Sequence, residues 1–247
     1  MLYLRAMYSD SDMMEPLEKA KFIIRNNVES DYLEAYNTFM RESKKHSSES
    51  DYYLGLMYAR GQGVPKNYES ARVWFEKGFE GGHPGCAYYL GIINLKGLNT
   101  PQDSQKAKEY LLMAAGRGDV RAEYELGLLH FKDVHIPRDL EISANWMKLA
   151  AEHGHIEAQF ILGQYYKSGA GVDRDIHLAV RWLMTAALNG HQGAQILLGN
   201  MYRNGDGVPP NDDEAERWYD MADANRNRPA YSSKGMKSGG EPPNSFT

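Results

Sequence analysis

The stretch LGLMYARGQGVPK, residues 54–66, contains a glycine pair followed by Lys66, a combination that could bind phosphate. A phosphate-binding loop needs backbone N–H groups that converge on the anion, a strand before the loop and a helix after it. The P-loop also ends in Gly-Lys-Ser/Thr, which this stretch lacks. We therefore interpret Gly61-Gln62-Gly63 as the end of one helix and Asn67 as the start of the next.

The histidines and the single cysteine are the other residues that could do chemistry. His155 and Glu157 match the first half of a zinc deaminase pattern, but the paired cysteines that would complete it are absent. His153, His155 and His177 could be imagined as metal ligands, yet nothing else in the sequence supports such a site. Cys86 lies at a helix position that is small in every unit, which favours a packed core thiol over a nucleophile. The sequence therefore predicts no catalytic residues, no metal and no cofactor.

Composition narrows the class of protein. A length of 247 residues allows a sizeable core, and 42% hydrophobic with 25% charged residues is ordinary for a soluble globular protein. The net charge of −5 argues against nucleic-acid binding. The opening residues contain no apolar run long enough for a signal sequence or a membrane span. We expect a cytoplasmic protein, although a start upstream of Met1 would leave export open.

A Leu-Gly pair recurs every 36 residues and divides most of the chain into five units. A small residue four positions before the leucine and an apolar residue three positions after it complete one apolar face of a helix. Such a period without insertions is typical of a tandem helical repeat. The glycines of the pair are Gly55, Gly91, Gly127, Gly163 and Gly199.

Each unit continues through a loop into a second amphipathic helix. The loop ends in an asparagine or aspartate, which are residue types that cap helix N-termini. These residues are Asn67, Asp103, Asp139, Asp175 and Asn211. The second helix carries a large aromatic residue, which we expect to be buried. These aromatic residues are Trp74, Tyr110, Trp146, Trp182 and Trp218.

Two further positions concern the turns. One register in the short turn between units is occupied by His83, Asp119, His155 and His191, for which we predict a structural role. Glycines of the loop inside the unit are replaced by Asn99 in unit two and by Asp133 and His135 in unit three. We therefore expect those two loops to differ in shape from the others.

These motifs resemble the SEL-one-like repeat, a relative of the tetratricopeptide repeat. The matching segments of one unit read AQFILGQYY, GAGV and AVRWLMTAALNGH. The resemblance covers roughly residues 48–227. It implies an all-α fold, a right-handed α-solenoid of five 36-residue helix-turn-helix repeats. It also implies protein binding, commonly as an adaptor, a scaffold or a dedicated inhibitor of one partner.

Outside the repeats, the boundaries follow from composition and pattern. Residues 14–47 contain two further amphipathic patterns, EPLEKAKFII and DYLEAYNTFM, and we predict that they form a degenerate helical cap. Residues 1–13 are predicted to be a flexible N-terminus. Residues 228–247 are rich in Gly, Ser, Pro and Asn and are predicted to be a disordered tail.

The partner-binding surface is predicted on the first helix of each unit, on the face opposite the leucines. In tetratricopeptide-like arrays this face lines a concave groove. Units one to three present apolar residues edged by a cation, whereas units four and five present amides and two cations. The predicted binding residues are Leu56, Arg60, Ile92, Leu95, Lys96, Leu128, Phe131, Lys132, Gln164, Lys167, Asn200 and Arg203.

An apolar strip with a basic edge fits a partner protein whose helical or extended segment has apolar anchors and acidic flanks. The alternative is that the apolar members of this set pack between neighbouring helices. The predicted function is a non-catalytic protein-binding scaffold or adaptor. The alternatives are an inhibitor or immunity protein that neutralises one toxic enzyme and, third, a hydrolase of cell-wall-related compounds, for which the sequence offers no nucleophile and base.

Overall fold

The structure is a computed structural model that describes residues 14–133 and 135–226. This part of the chain contains twelve α-helices, one 3₁₀ helix at Glu29–Asp31 and no strand, which confirms the all-α prediction. The predicted flexible N-terminus and disordered tail lie outside the described residues. The helices are α1 (Pro16–Arg25), α2 (Tyr32–Ser43), α3 (Ser48–Arg60), α4 (Tyr68–Glu80), α5 (Pro84–Lys96), α6 (Ser104–Ala115), α7 (Val120–Lys132), α8 (Leu140–Glu152), α9 (Ile156–Ser168), α10 (Ile176–Leu188), α11 (Gln192–Asn204) and α12 (Asp212–Arg226).

The described residues divide into two compact units that each contain several repeats, a first unit ending at Arg117 and a second unit beginning at Gly118. The first unit contains α1–α6 and the second contains α7–α12. Within each unit, helices that follow one another in the chain pack against each other. A buried core runs between them, with Leu54 and Leu90 in the first unit and Leu162 and Leu198 in the second at most 1% exposed.

The five loops between the paired helices are closed by one residue each. The side chains of Asn67, Asp103, Asp139, Asp175 and Asn211 accept hydrogen bonds of 2.9–3.1 Å from backbone N–H groups in the first turn of the second helix. The N–H groups of the same residues donate to the carbonyls of Tyr58, Asn94, His130, Tyr166 and Tyr202 at 2.9–3.0 Å. Each predicted cap is therefore confirmed, and it fastens the second helix to the first.

The glycine pair of the first repeat provides backbone conformations that other residues rarely adopt. Gly61 ends α3 in the left-handed region, with φ of 72°, and Gly63 takes the same φ. Asn99 replaces the second glycine in the second repeat and adopts a φ of 57°, in the same left-handed region. The expectation that this loop differs in shape is therefore wrong. Asparagine reaches this region more easily than other side chains, which explains the substitution.

The third repeat has the different loop that the sequence predicts. Asp133 follows α7 with φ of −70° and ψ of 139°, where the other units place a left-handed glycine. Its carboxylate accepts hydrogen bonds from the N–H groups of His135 and Ile136, at 2.8 Å and 3.0 Å. An Asx turn therefore replaces the glycine turn.

Three of the turns between repeats use a histidine side chain as the N-cap of the following helix. Nδ1 atoms of His83, His155 and His191 accept the N–H groups of Gly85, Ala158 and Ala194 at 3.0–3.2 Å. Each ring also stacks on an aromatic ring of the preceding first helix, with ring centroids 4.2–4.3 Å apart. Asp119 caps α7 through its carboxylate. The predicted structural role of this register is confirmed.

The Leu-Gly glycines lie where the two helices of a repeat approach most closely. A Cβ atom added at any of them would lie 2.4–2.9 Å from a side chain of the second helix, closer than real Cβ contacts allow. The side chains opposite them are Phe75, Leu111, Met147, Leu183 and Tyr219, of which the first four are fully buried. Glycine is therefore required by a large neighbour rather than by a turn.

The aromatic register of the second helix is less buried than predicted. Trp74, Tyr110, Trp146 and Trp182 are half-buried, and only Trp218 lies in the core at 6% exposure. The prediction of a buried aromatic in every unit is therefore wrong. In the first four repeats, the residue that follows this aromatic in the chain faces the Leu-Gly glycine and takes the core position instead.

The predicted cap region contains α1 and α2, and α2 packs on α3 like the second helix of a repeat. Ala35 and Phe39 are fully buried, as are Ala71 and Phe75 one period later. The Phe39 ring stacks on Tyr53 with centroids 5.0 Å apart and an interplanar angle of 3°. This stacking extends the core of the first repeat into the N-terminal helices.

The close approach at Gly91 yields a test of the packing. Replacing Gly91 by Ala should lower the free energy of unfolding, because overpacking costs about 1–3 kcal/mol while the helix propensity of alanine returns only about 1 kcal/mol. The new Cβ would lie 2.8 Å from Leu111 Cγ. In a Leu111→Ala background the clash disappears, so Gly91→Ala should be neutral or stabilising. Urea unfolding of the four proteins measures this reversal, and equal losses in both backgrounds would contradict it.

The cap at His155 predicts a pH-dependent stability. Burial lowers the pKa of His155 from its ordinary value, and the nearby Glu157 opposes that shift less strongly. The unfolded chain therefore binds the proton first, so this stabilisation is complete above about pH 6.5 and is lost as the pH falls. His155→Asn keeps a capping side chain and should flatten the dependence between neutral and mildly acidic pH. Thermal unfolding of both proteins over this pH range measures the difference, and identical profiles for His155→Asn and the wild type would contradict the prediction.

Candidate functional site

Two of the predicted binding residues lie in the core of the first unit. Leu56 is 3% exposed and Ile92 is 2% exposed, so neither offers a surface to a partner. These two assignments are wrong, because α3 and α5 are buried on more than one side: Leu54 and Leu56 of one helix are both inaccessible. For this pair, the alternative of packing between helices is correct.

The other predicted residues of the first unit are accessible to different degrees. Arg60 and Leu95 are half-buried near the ends of α3 and α5, and Lys96 is exposed. The apolar strip predicted for this unit is therefore reduced to Leu95 beside cationic side chains.

In the second unit, α7 presents an exposed aromatic ring. Phe131 is 37% exposed, although its position is close to the core. Its ring centroid lies 5.6 Å from the guanidinium of Arg138 and 6.1 Å from the ring of Tyr165. Leu128 is half-buried and packs against the core, and Lys132 is exposed. Phe131 is thus oriented by its neighbours while part of its surface remains accessible.

In the fourth and fifth repeats, the first helices, α9 and α11, present polar groups at the predicted positions. Gln164, Asn200 and Arg203 are exposed, and Lys167 is half-buried. Lys167 Nζ lies 3.8 Å from a carboxylate oxygen of Asp206. These side chains have no part in the buried core of the unit, so their identity is free to serve a contact surface.

Tyr219 and Glu216 of α12 lie beside Asn200 and Arg203, and the sequence pattern indicated neither of them. The Tyr219 hydroxyl donates to Asn200 Oδ1 at 2.8 Å, and the guanidinium of Arg203 lies 4.8 Å from the Tyr219 ring centroid. Arg203 also pairs with Glu216 at 2.7 Å. Tyr219 stands where the other repeats have Phe, Leu or Met, and its hydroxyl is the signal that this ring also serves the surface.

Three of the residues considered for catalysis or metal binding have structural surroundings, namely Cys86, His153 and His155. Burial raises the pKa of the Cys86 thiol well above its ordinary value, with a further contribution from Asp51, so the reactive thiolate is disfavoured. His153 Nδ1 lies 2.9 Å from the buried carboxylate of Glu123, and His155 caps α9. Among residues 14–133 and 135–226, no cluster of three or more histidine, cysteine, aspartate or glutamate residues could hold a metal ion.

The described helices are also unsuited to crossing a membrane, since none of them is both long and apolar enough. At the predicted positions of the second unit, the accessible side chains include an aromatic residue on α7 and a polar, partly cationic group on α9 and α11, beside Tyr219 and Glu216 of α12. Such surfaces can bind another molecule through apolar contact, hydrogen bonds and ion pairs.

Comparison with known proteins identifies the repeat. The Sel1 repeat profile matches residues 48–83, 84–119, 120–155, 156–191 and 193–222. A Sel1 repeat protein from Oxalobacter formigenes is 29% identical, each chain is covered to 85%, and the TM-score is 0.77.

Two other solved structures share the fold. A protective antigen of uropathogenic Escherichia coli with an SLR fold is 24% identical over 85% of this chain and 49% of its own, with a TM-score of 0.75. An immunity protein from Pseudomonas aeruginosa is 19% identical over 78% of this chain and 73% of its own, with a TM-score of 0.54. No curated protein matched the chain in a sequence comparison. Since the repeat profile covers most of the chain in unbroken register, the protein belongs to the Sel1 repeat family.

Proposed function

We propose that this protein is a non-catalytic scaffold or adaptor and that its second unit binds a partner protein through one face of α7, α9 and α11. The observation that carries the proposal is the exposure of the predicted residues on these helices. Phe131, Lys132, Gln164, Asn200 and Arg203 are all exposed, while the leucines of the same helices are buried. The repeat frame is thus complete without these side chains.

Phe131 supplies the apolar anchor of this surface. Aromatic and arginine side chains dominate the binding energy of many protein interfaces, because they bury a large area and also make directional contacts. The ring is in contact with Arg138 and Tyr165, so less conformational freedom is lost on binding than for a side chain without neighbours. A partner segment with an apolar residue and acidic neighbours is complementary to Phe131 beside Lys132.

An inhibitor or immunity function is a narrower version of the same activity. The Pseudomonas aeruginosa immunity protein shares the fold at 19% identity. This likeness supports a common fold and does not by itself assign the immunity function to the present protein. The discriminating property is the partner itself: an immunity protein binds one toxic enzyme and protects cells that produce it. We also propose that the protein acts in the cytoplasm, as the sequence led us to expect. Cell fractionation would test this location.

The test is affinity capture from lysate of the source cells with the wild-type protein and a Phe131→Asp, Arg203→Glu variant. The substitutions place repulsive charges on α7 and α11 while leaving the buried leucines intact. We expect one stoichiometric partner whose recovery falls by at least about tenfold with the variant, as for loss of interface hot spots. Expression of that partner alone and together with this protein then separates an adaptor from an inhibitor.

A matched control is available in the same unit. Leu188 is 69% exposed and Arg181 is exposed, both on α10, so Leu188→Asp with Arg181→Glu makes the same changes of charge on another surface. This control should retain the partner, and circular dichroism should show equal helicity for all three proteins. Equal recovery with both variants would contradict the proposed binding face. The absence of any partner would contradict the scaffold function.

A further inference from the structure

A cleft of about 370 Å³ opens in the second unit between the loop after α9 and the loop after α11. Two of the side chains that line it are cations and one is an anion. We name it the basic cleft, and its lining residues are Lys167, Arg174, Ile176, Gly205, Asp206 and Gly207.

The basic cleft differs from the corresponding place one repeat earlier. There, Phe131 and Arg138 stand at the registers of Lys167 and Arg174, and the guanidinium lies over the aromatic ring. In the cleft, Arg174 has a lysine, Lys167, in place of that ring at the same register. The Nε atom of Arg174 donates instead to the backbone carbonyl of Lys167 at 3.2 Å, which holds the guanidinium beside the C-terminal end of α9.

The positive charge in the cleft is only partly compensated. Lys167 Nζ lies 3.8 Å from the Asp206 carboxylate, a longer separation than the 2.7 Å between Arg203 and Glu216 in the same unit. The Asp206 side chain is 51% exposed, so solvent screens this pair. The structure gives the terminal amino groups of Arg174 no partner among the described residues.

We propose that the basic cleft binds a glutamate or aspartate side chain of the partner protein. This inference rests on the proposed function and names the chemistry that one part of the surface recognises. A carboxylate in the cleft would balance two cations against two anions, and the planar guanidinium of Arg174 can donate two parallel hydrogen bonds to it. Asp206 competes for Lys167, so it limits the affinity for an isolated acidic residue.

The test uses the full chain with isotope-labelled arginine side chains and an acetylated, amidated hexaglutamate peptide as the probe. Saturable changes of the Arg174 side-chain resonance in nuclear magnetic resonance spectra are expected. Lys167→Gln with Arg174→Gln should weaken binding by about tenfold, as for loss of charge-assisted contacts. Lys148→Gln with Arg181→Gln removes the same charge from exposed positions on α8 and α10 and should have little effect.

A second pair of variants tests the role assigned to Asp206. Asp206→Asn should tighten peptide binding, whereas Asp213→Asn, an equal change of charge at an exposed position in α12, should not. Equal effects within either pair would overturn the proposal, since they would indicate general electrostatic attraction. Binding of hexaglutamine with equal affinity would also overturn it, as would equal affinity for inorganic phosphate, which would indicate an unselective anion site.

The peptide experiment does not depend on the identity of the partner. If the peptide fails to bind while capture still depends on Phe131 and Arg203, only the assignment of the basic cleft is wrong. If the peptide binds the cleft while no partner is captured, the carboxylate site stands and the scaffold function is wrong.

Discussion

The close contact between the two helices of each repeat is the constraint on which the structure depends. Contact at this distance needs a glycine on the first helix, because even a single Cβ would overlap the facing side chain. It also needs a large residue on the second helix to fill the space. The Leu-Gly pair is therefore half of a two-residue packing unit whose other half stands in the second helix, and loss of either half would open a cavity or force the helices apart.

In four of the five repeats, a buried polar side chain at one register of the first helix connects that helix to a neighbouring helix or turn, whereas Ala87 occupies this register in the second repeat. Gln159 and Gln195 donate to the carbonyls of Ala151 and Ala187, near the C-terminal ends of α8 and α10, at 3.1 Å and 2.9 Å. These carbonyls belong to the last turn of a helix, and they also accept the backbone N–H groups of Gly154 and Gly190 in the turn that follows. At the same register Asp51 pairs with Lys77 and Glu123 with His153. The chemical identity of the residue varies, and so does the origin of its partner, which belongs to the preceding repeat for the two glutamines and to the same repeat for the two acidic residues.

The repeat made most of the fold predictable from the sequence, and the errors arose where a local pattern has no information about neighbours. The capping residues were predictable because a side chain that accepts its own helix's N–H acts within four residues. The tryptophan register was misassigned because Ala71, Trp74 and Phe75 all lie on one broad apolar face, and only the position of the facing glycine decides which aromatic is enclosed. Leu56 and Ile92 were misassigned for a related reason: burial of the opposite face depends on other helices, which helical periodicity does not specify.

The candidate site follows from what the repeat frame leaves unused. In the second unit, Phe131, Lys167 and Arg203 occupy one register, yet they are an aromatic residue, a lysine and an arginine. The leucine, glycine and Asx positions of the same repeats keep their type because packing and backbone hydrogen bonds fix them. Variation at a register whose side chains remain accessible costs the fold little, so such positions can be adapted to a partner one repeat at a time. Their spacing is set by the repeat frame, whereas the frame leaves their chemistry free to vary.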